Sequence, residues 1–451
     1  GGRYPRRWAR HRRLEPGGGP PVTLSLVNEL DSVSSNGTPA WDSARYLREI
    51  LKAPVYEAAE HTPLQEMPAL SARLGNTVEV KREDLQTVHS FKIRGAYNAM
   101  RALGEAERAR GVITASAGNH AQGVALAATT LGIPSKVYMP LGAAMPKLVA
   151  TRAYGATVEQ VGATLDESLV AARQYAEDTG AVLIHPFDHP DIVAGQGTCG
   201  LEILEQCPDV QTVVVSLGGG GLLAGIATVI KAQRPDVTMV GVQAEQAAAY
   251  PRSLAEGRPI AVERMATMAD GIAVGLPGAV PFEVVRTQVD QVGTVSEASL
   301  SRAMLQTLEH NKLVVEPAGA AGVALLNEQP EGWTGPVVVV LSGGNIDPLL
   351  MLRVIRHGMV AAGRYLQFRV VMPDRPGSLA RLIADCAAVD GNVIEIEHTR
   401  YEANLMVDEV DIFVQLETKG PEHCALVLNS LREKGYSLQL SDAGEGPTQP
   451  V

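Results

Sequence analysis

Lys92 is the side chain best placed to do covalent chemistry. It stands in His89-Ser90-Phe91-Lys92-Ile93-Arg94-Gly95-Ala96, between a strand-like run over residues 77–82 and an Ala-rich helical pattern over 96–103. Ser90 is a residue type that caps helices, and as a cap it would put Lys92 in the first turn, where the helix dipole disfavours a cation. Such a site lowers the cost of losing the ammonium proton, and the neutral amine is the form that attacks a carbonyl to make an imine. A solvated surface lysine is the competing reading. It leaves the apolar, Gly-flanked setting unexplained.

Three strand ends offer partners for that amine. Ser216-Leu217-Gly218-Gly219-Gly220-Gly221-Leu222 follows a strand-like run over 212–216 and opens a helix over 222–231. Residues without side chains let backbone N–H groups converge on an anion there, so the loop reads as a phosphate cradle. A tight turn explains one or two glycines; four in a row are costly in conformational entropy unless something approaches closely. Gly219, Gly221 and Ala224 also satisfy G-x-G-x-x-A, with Glu245 after the next strand, so a dinucleotide site competes. A P-loop does not, because no Lys-Ser or Lys-Thr follows the glycines. In Thr114-Ala115-Ser116-Ala117-Gly118-Asn119-His120, backbone donors and the Ser116 hydroxyl suit a carboxylate, and the Asn119 amide suits a ring oxygen. Taken alone, this loop is an ordinary polar cap. Ser342 ends a third apolar run, residues 337–341, where α/β sheets place ligand groups. An imine-forming lysine, an anion cradle and polar strand ends are the parts of a pyridoxal phosphate site, whereas a nicotinamide site needs no such lysine.

Composition sets the frame for these motifs. The chain has 451 residues, 45 % of them apolar and 20 % charged, enough for two or three globular domains. A net charge of -11 argues against a nucleic-acid partner, and no apolar run is long enough to span a membrane. Cys199, Cys207, Cys386 and Cys424 lack framework spacing, which fits reduced thiols and a cytoplasmic setting. The Arg-rich start before Glu15 reads as a transit peptide or as an extension without function; residues 1–40 are expected to be largely disordered, and a first helix is expected over 41–51. Alternating strand and helix patterns over 53–347 predict an α/β fold with doubly wound parallel sheets in two lobes. The helices include one over 197–206. After a helical connector over 348–364, residues 365–441 run βαββαβ, the ferredoxin-like order, followed by a tail over 442–451.

The region 53–345 resembles the threonine dehydratase (threonine ammonia-lyase) branch of the fold-type II pyridoxal phosphate enzymes. The resemblance is carried by Ala53-Pro54-Val55-Tyr56-Glu57, Val80-Lys81-Arg82-Glu83-Asp84, Ser90 to Gly95, Ser116 to Gly123, Pro186-Phe187-Asp188-His189-Pro190, the tetraglycine loop and Leu341-Ser342-Gly343-Gly344-Asn345. It implies that Lys92 carries the cofactor, Phe91 packs on its ring and Asn119 bonds its phenolic oxygen. Gly218, Gly219, Gly220, Gly221 and Leu222 would hold the phosphate, and Ser342 would face the pyridine nitrogen, leaving it largely unprotonated. Ser116, Gly118, Asn119 and His120 would receive the substrate carboxylate. Lys92 and Ser342 are thus the expected catalytic pair.

The implied reaction converts L-threonine to 2-oxobutanoate and ammonia, the first step of isoleucine biosynthesis, with L-serine as a slower substrate. Within the fold, the alternatives are an L-serine dehydratase or a relative of threonine synthase or cysteine synthase; outside enzymology, a non-catalytic amino-acid sensor. Serine racemases of the family carry a second serine where this chain has Ala117, which disfavours racemisation. Relatives that bind a divalent cation have a second acid six positions after the one matching Glu245; here that position is Pro251, so no metal is expected. The βαββαβ unit resembles an ACT domain, which implies an amino-acid effector near Gly377 and Asn392, or a purely structural module. A homo-oligomer is expected.

Overall fold

The computed structural model describes residues 42–262, 264–400 and 405–440. The expectations for the extension, Trp41 and the tail fall outside them. The described strands are β1 (Leu64–Glu66), β2 (Val78–Arg82), β3 (Val112–Ala115), β4 (Ser135–Met139), β5 (Thr157–Gln160), β6 (Val182–Leu183), β7 (Thr212–Ser216), β8 (Thr238–Ala244), β9 (Gln291–Val295), β10 (Val337–Leu341), β11 (Tyr365–Pro373), β12 (Asn392–Thr399), β13 (Glu409–Glu417) and β14 (Leu438–Leu440).

They form three sheets. The large lobe has the order β1-β2-β10-β7-β8-β9, parallel throughout except for β1 against β2. The small lobe has the all-parallel order β5-β4-β3-β6 and is inserted in the chain between β2 and β7. This is the expected two-lobed α/β architecture.

The near-continuous apolar runs of β7 and β10 have one cause: helices cover both faces of the large sheet. Val337, Val339 and Leu341 of β10 join one core cluster with Val214 of β7. Val338 and Val340 join a second cluster with Val213 and Val215. The period of two divides each strand between two cores.

The third sheet, β12-β13-β11-β14, is antiparallel. Helices Ser378–Ala387 and Pro421–Glu433 cover one face, giving the expected βαββαβ order, with Phe368, Leu382, Ile412 and Leu431 in its core. Helix Pro348–Ala361 connects it to the large lobe by packing on helix Glu297–Asn311, where a Cβ on Gly358 would lie 2.9 Å from the Ser301 carbonyl. Arg364 pairs with Glu309 beside that crossing.

Some expected boundaries move. The first helix is Ser43–Lys52, capped by Asp42, whose Oδ1 accepts from the Ala44 and Arg45 amides. The helix expected over 197–206 starts seven residues earlier, at Pro190, with the His189 ring accepting from Asp191 N. A proline at the first helical position needs no N–H partner, so the helix opens there despite three glycines further on.

Beneath Lys92 lies a buried ion network. Arg94 grips both oxygens of Glu83, each at 2.8 Å, and reaches Glu202 at 2.6 Å; Lys81 meets the other Glu202 oxygen at 2.6 Å. All four side chains are almost fully buried. They join β2, the turn after it, the Lys92 helix and helix Pro190–Gln206. Removing one member strands an opposite charge in the interior. Arg94→Ala is therefore expected to destabilise the chain by about 3–5 kcal/mol, read as a lower midpoint in chemical denaturation.

Candidate active site

The helix carrying Lys92 is Lys92–Arg101, opening four residues earlier than the alanine pattern predicts, and its N-cap is Phe91. Ser90 is not the cap. Its backbone bridges to Gly343 beyond β10, and its buried hydroxyl has no hydrogen-bond partner among the described residues. Phe91 N donates to the Ser342 carbonyl at 3.1 Å. Tertiary pairing with the β10 end therefore replaces local capping. Close helix crossings fix the lysine from the other side. A Cβ on Gly123 would lie 3.1 Å from the Lys92 carbonyl carbon, and one on Gly95 would collide with Gln196.

Lys92 Nζ enters a cavity of about 400 Å³ between the two lobes. Ser116 follows β3, the glycine loop follows β7 and Ser342 follows β10, so the cavity lies at the carboxyl ends of strands from both sheets. Phe91, Lys92, Ser116, Gly118, Asn119, His120, Gly218, Gly219, Gly220, Gly221, Leu222 and Ser342 all line it. Glu245, which the dinucleotide reading requires, is exposed and does not.

Nζ donates to the Pro186 carbonyl at 2.8 Å and lies 5.0 Å from the centre of the Phe91 ring. Burial lowers its pKa to about 8, against an upward pull from Glu316. Helix Gly221–Gln233 turns its N-terminus toward the same cavity. Among the described residues, no acceptor is paired with the N–H groups of Gly219, Gly220, Gly221 or Leu222. Unpaired donors at a helix start suit an anion.

The glycines themselves have a second cause. A Cβ on Gly219 would enter the Phe187 ring, and Gly220 has φ +102° beside the Tyr250 hydroxyl. At these two positions the close approach comes from the protein itself: its own packing against Phe187 and Tyr250 demands glycine.

The carboxylate loop also departs from expectation. Gly118 N donates to Ser116 Oγ at 3.2 Å, so that donor is already engaged. His120 is buried with Nε2 bonded to the Ile184 carbonyl at 2.9 Å, and burial, then Lys92, pushes its pKa down to about 3. The ring is neutral and tied to the small lobe.

Sequence reasoning missed Glu316, the N-cap residue of helix Pro317–Glu328, which lines the cavity. Its Oε1 accepts from Asn119 Nδ2 at 2.7 Å, and burial, then Asp270, raises its pKa to about 8. The available signal is an acid directly before a proline that opens an apolar helix. Lys147 of the small lobe pairs with Asp270 of the large lobe where both line the cavity.

The two expected effector residues are not brought together. Gly377 borders a second cavity of about 300 Å³ in the C-terminal unit. Asn392 pairs in register with Glu417, which pairs with Tyr365, whereas Gly377 follows Pro373 at the opposite end of the sheet. The Asn392 amide donates to Glu417 at 3.1 Å.

Residues 55–343 match the family described as pyridoxal-phosphate dependent enzyme. The chain belongs to that family. It is 46% identical over 367 residues to the L-threonine ammonia-lyase of Geobacter sulfurreducens, covering 81% of this chain and 91% of that one. It is 38% identical to the biosynthetic L-threonine dehydratase of Escherichia coli, covering 91% and 80%. Among solved structures, the processed form of threonine deaminase isoform 2 from Solanum lycopersicum superposes with a TM-score of 0.68 at 38% identity, covering 72% of this chain and 95% of that one.

The family's cofactor fits the residues present. A buried primary amine of lowered pKa and a row of unpaired backbone donors face one cavity. Lys92 thus loses its proton on rising through about pH 8, well below an exposed lysine near 10.5. In cofactor-free protein, the rate of reaction with added pyridoxal phosphate is expected to climb with pH and inflect near 8, followed by absorbance. Lys92→Ala should leave no borohydride-fixed cofactor.

Proposed function

We propose that this chain is an L-threonine ammonia-lyase, converting L-threonine to 2-oxobutanoate and ammonia and acting more slowly on L-serine. The observation that carries the reading is the Lys92 amine, buried and easily deprotonated, inside the cavity of a family member most of whose length matches threonine ammonia-lyases. Lys92 would carry the cofactor, the glycine loop and Leu222 would hold its phosphate, Phe91 would pack on its ring, Asn119 would serve the phenolic oxygen and Ser342 the ring nitrogen. When bound, pyridoxal phosphate supplies the conjugation that accepts electron density from the substrate Cα.

The chain's own residues do the rest. Released from the cofactor when the substrate amine takes its place, neutral Lys92 Nζ takes the Cα proton as a general base, its pKa lowered by burial. The Ser116 hydroxyl and the start of helix Asn119–Leu131 hold the substrate carboxylate, while neutral His120 braces that loop through Ile184. Phe91, Phe187 and Leu222 on the cavity wall limit water. Loss of the β-hydroxyl and hydrolysis of the resulting enamine complete the reaction, the water lost being regained.

Ala117 lines the cavity without a hydroxyl. This favours elimination over racemisation, which needs a proton donor on the second face of Cα.

Residues 41–347 form the catalytic unit in this reading, and 365–441 an ACT-like regulatory domain in a cytoplasmic homo-oligomer serving isoleucine biosynthesis. The effector site is the C-terminal cavity bordered by Asp374, Arg375, Gly377, His398 and Arg400. Asn392 is not part of it.

Keto acid should be released from threonine alone, without a second substrate; a requirement for one would favour a replacement enzyme. Lys92→Ala should abolish the release, and Ala117→Ser should raise D-serine formation from L-serine in a chiral assay. Removing residues from Arg364 onward should abolish any response to isoleucine or valine; an unchanged response removes the regulatory role.

A further inference from the structure

Asn119 is held at both ends of its amide. Oδ1 accepts from Asn345 Nδ2 at 2.8 Å, and Nδ2 donates to Glu316 Oε1 at 2.7 Å. Asn345 is fixed in turn, since its Nδ2 also donates to the Val88 carbonyl at 2.7 Å. These bonds define which way round the Asn119 amide lies. An asparagine nitrogen carries two hydrogens, and Glu316 takes one. Among the described residues nothing accepts the other, and Asn119 lines the cavity that Lys92 enters.

Glu316 is held as firmly. Its N–H donates to the Gly343 carbonyl at 3.1 Å, and a Cβ on Gly343 would collide with its Oε1. The residue after Ser342 must therefore lack a side chain for the carboxyl to reach Asn119. Burial keeps Glu316 largely protonated at neutral pH. A neutral carboxyl still accepts through its carbonyl oxygen and sets no negative charge beside an anionic ring oxygen.

We propose that Glu316 is a positioning residue, orienting the Asn119 amide so that its remaining N–H meets the phenolic oxygen of the cofactor ring. The proposal rests on the role given to Asn119 above. A purely structural Glu316, capping its helix, would leave the cofactor's spectrum unmoved.

The test titrates cofactor-free protein with pyridoxal 5'-phosphate, reading affinity and the absorption maximum of the bound form. Glu316→Gln keeps an acceptor and should bind within about twofold of the parent. Glu316→Ala, and Glu316→Asp, which withdraws the acceptor by one methylene, should each weaken binding by about three- to tenfold and shift the band. Asn119→Ala should do the same, and Asn119→Ala with Glu316→Ala should be no weaker than Asn119→Ala alone. Additive losses overturn the proposal. So does parent-like binding by Glu316→Asp, the variant least prone to misfold, when Asn119→Ala is weakened. If Asn119→Ala leaves affinity and band unchanged, the role of Asn119 itself fails, and this inference with it.

Discussion

Two residues beyond the reactive amine, Arg94 is sealed between Glu83 and Glu202, with Lys81 completing a set of two cations and two anions. None of these charges can be left alone in the interior without a penalty of several kcal/mol. The turn after β2, the Lys92 helix and helix Pro190–Gln206 must therefore settle together. Lys92 inherits its position from that agreement. A lysine on a long flexible stem is poorly positioned by itself; one at the first turn of a helix pinned by a bidentate arginine is not.

Charge is treated differently one layer up. In the network every ion has an opposite at hydrogen-bond distance. In the cavity, burial outweighs the mutual attraction of Lys92 and Glu316 and drives both toward neutrality. The same desolvation thus gives a rigid base where partners are supplied and a reactive amine where they are withheld.

How far the chain can be read without coordinates follows from what each residue depends on. The two-lobed fold and the βαββαβ unit were legible because β7, β10 and their neighbours are written in local patterns of apolar residues and glycine. Lys92, Ser116, Asn119 and Ser342 were legible as chemistry because each stands at a strand or helix end. Ser90 has the right type for a cap, yet its bridge to Gly343 spans some 250 residues of sequence and no local pattern encodes it. Gly377 and Asn392 were paired because both flank elements of one small unit; only the sheet register separates them. Glu316 escaped notice because a glutamate before a proline is ordinary, and its significance lies wholly in the distant Asn119 that it touches.

The Lys147–Asp270 pair spans the two lobes at the cavity mouth, with the aspartate side chain about half exposed. A pair this wet contributes about 0–1 kcal/mol, no more than a fivefold bias toward the joined state. Whatever holds the crevice in its present shape, this ion pair supplies little of it.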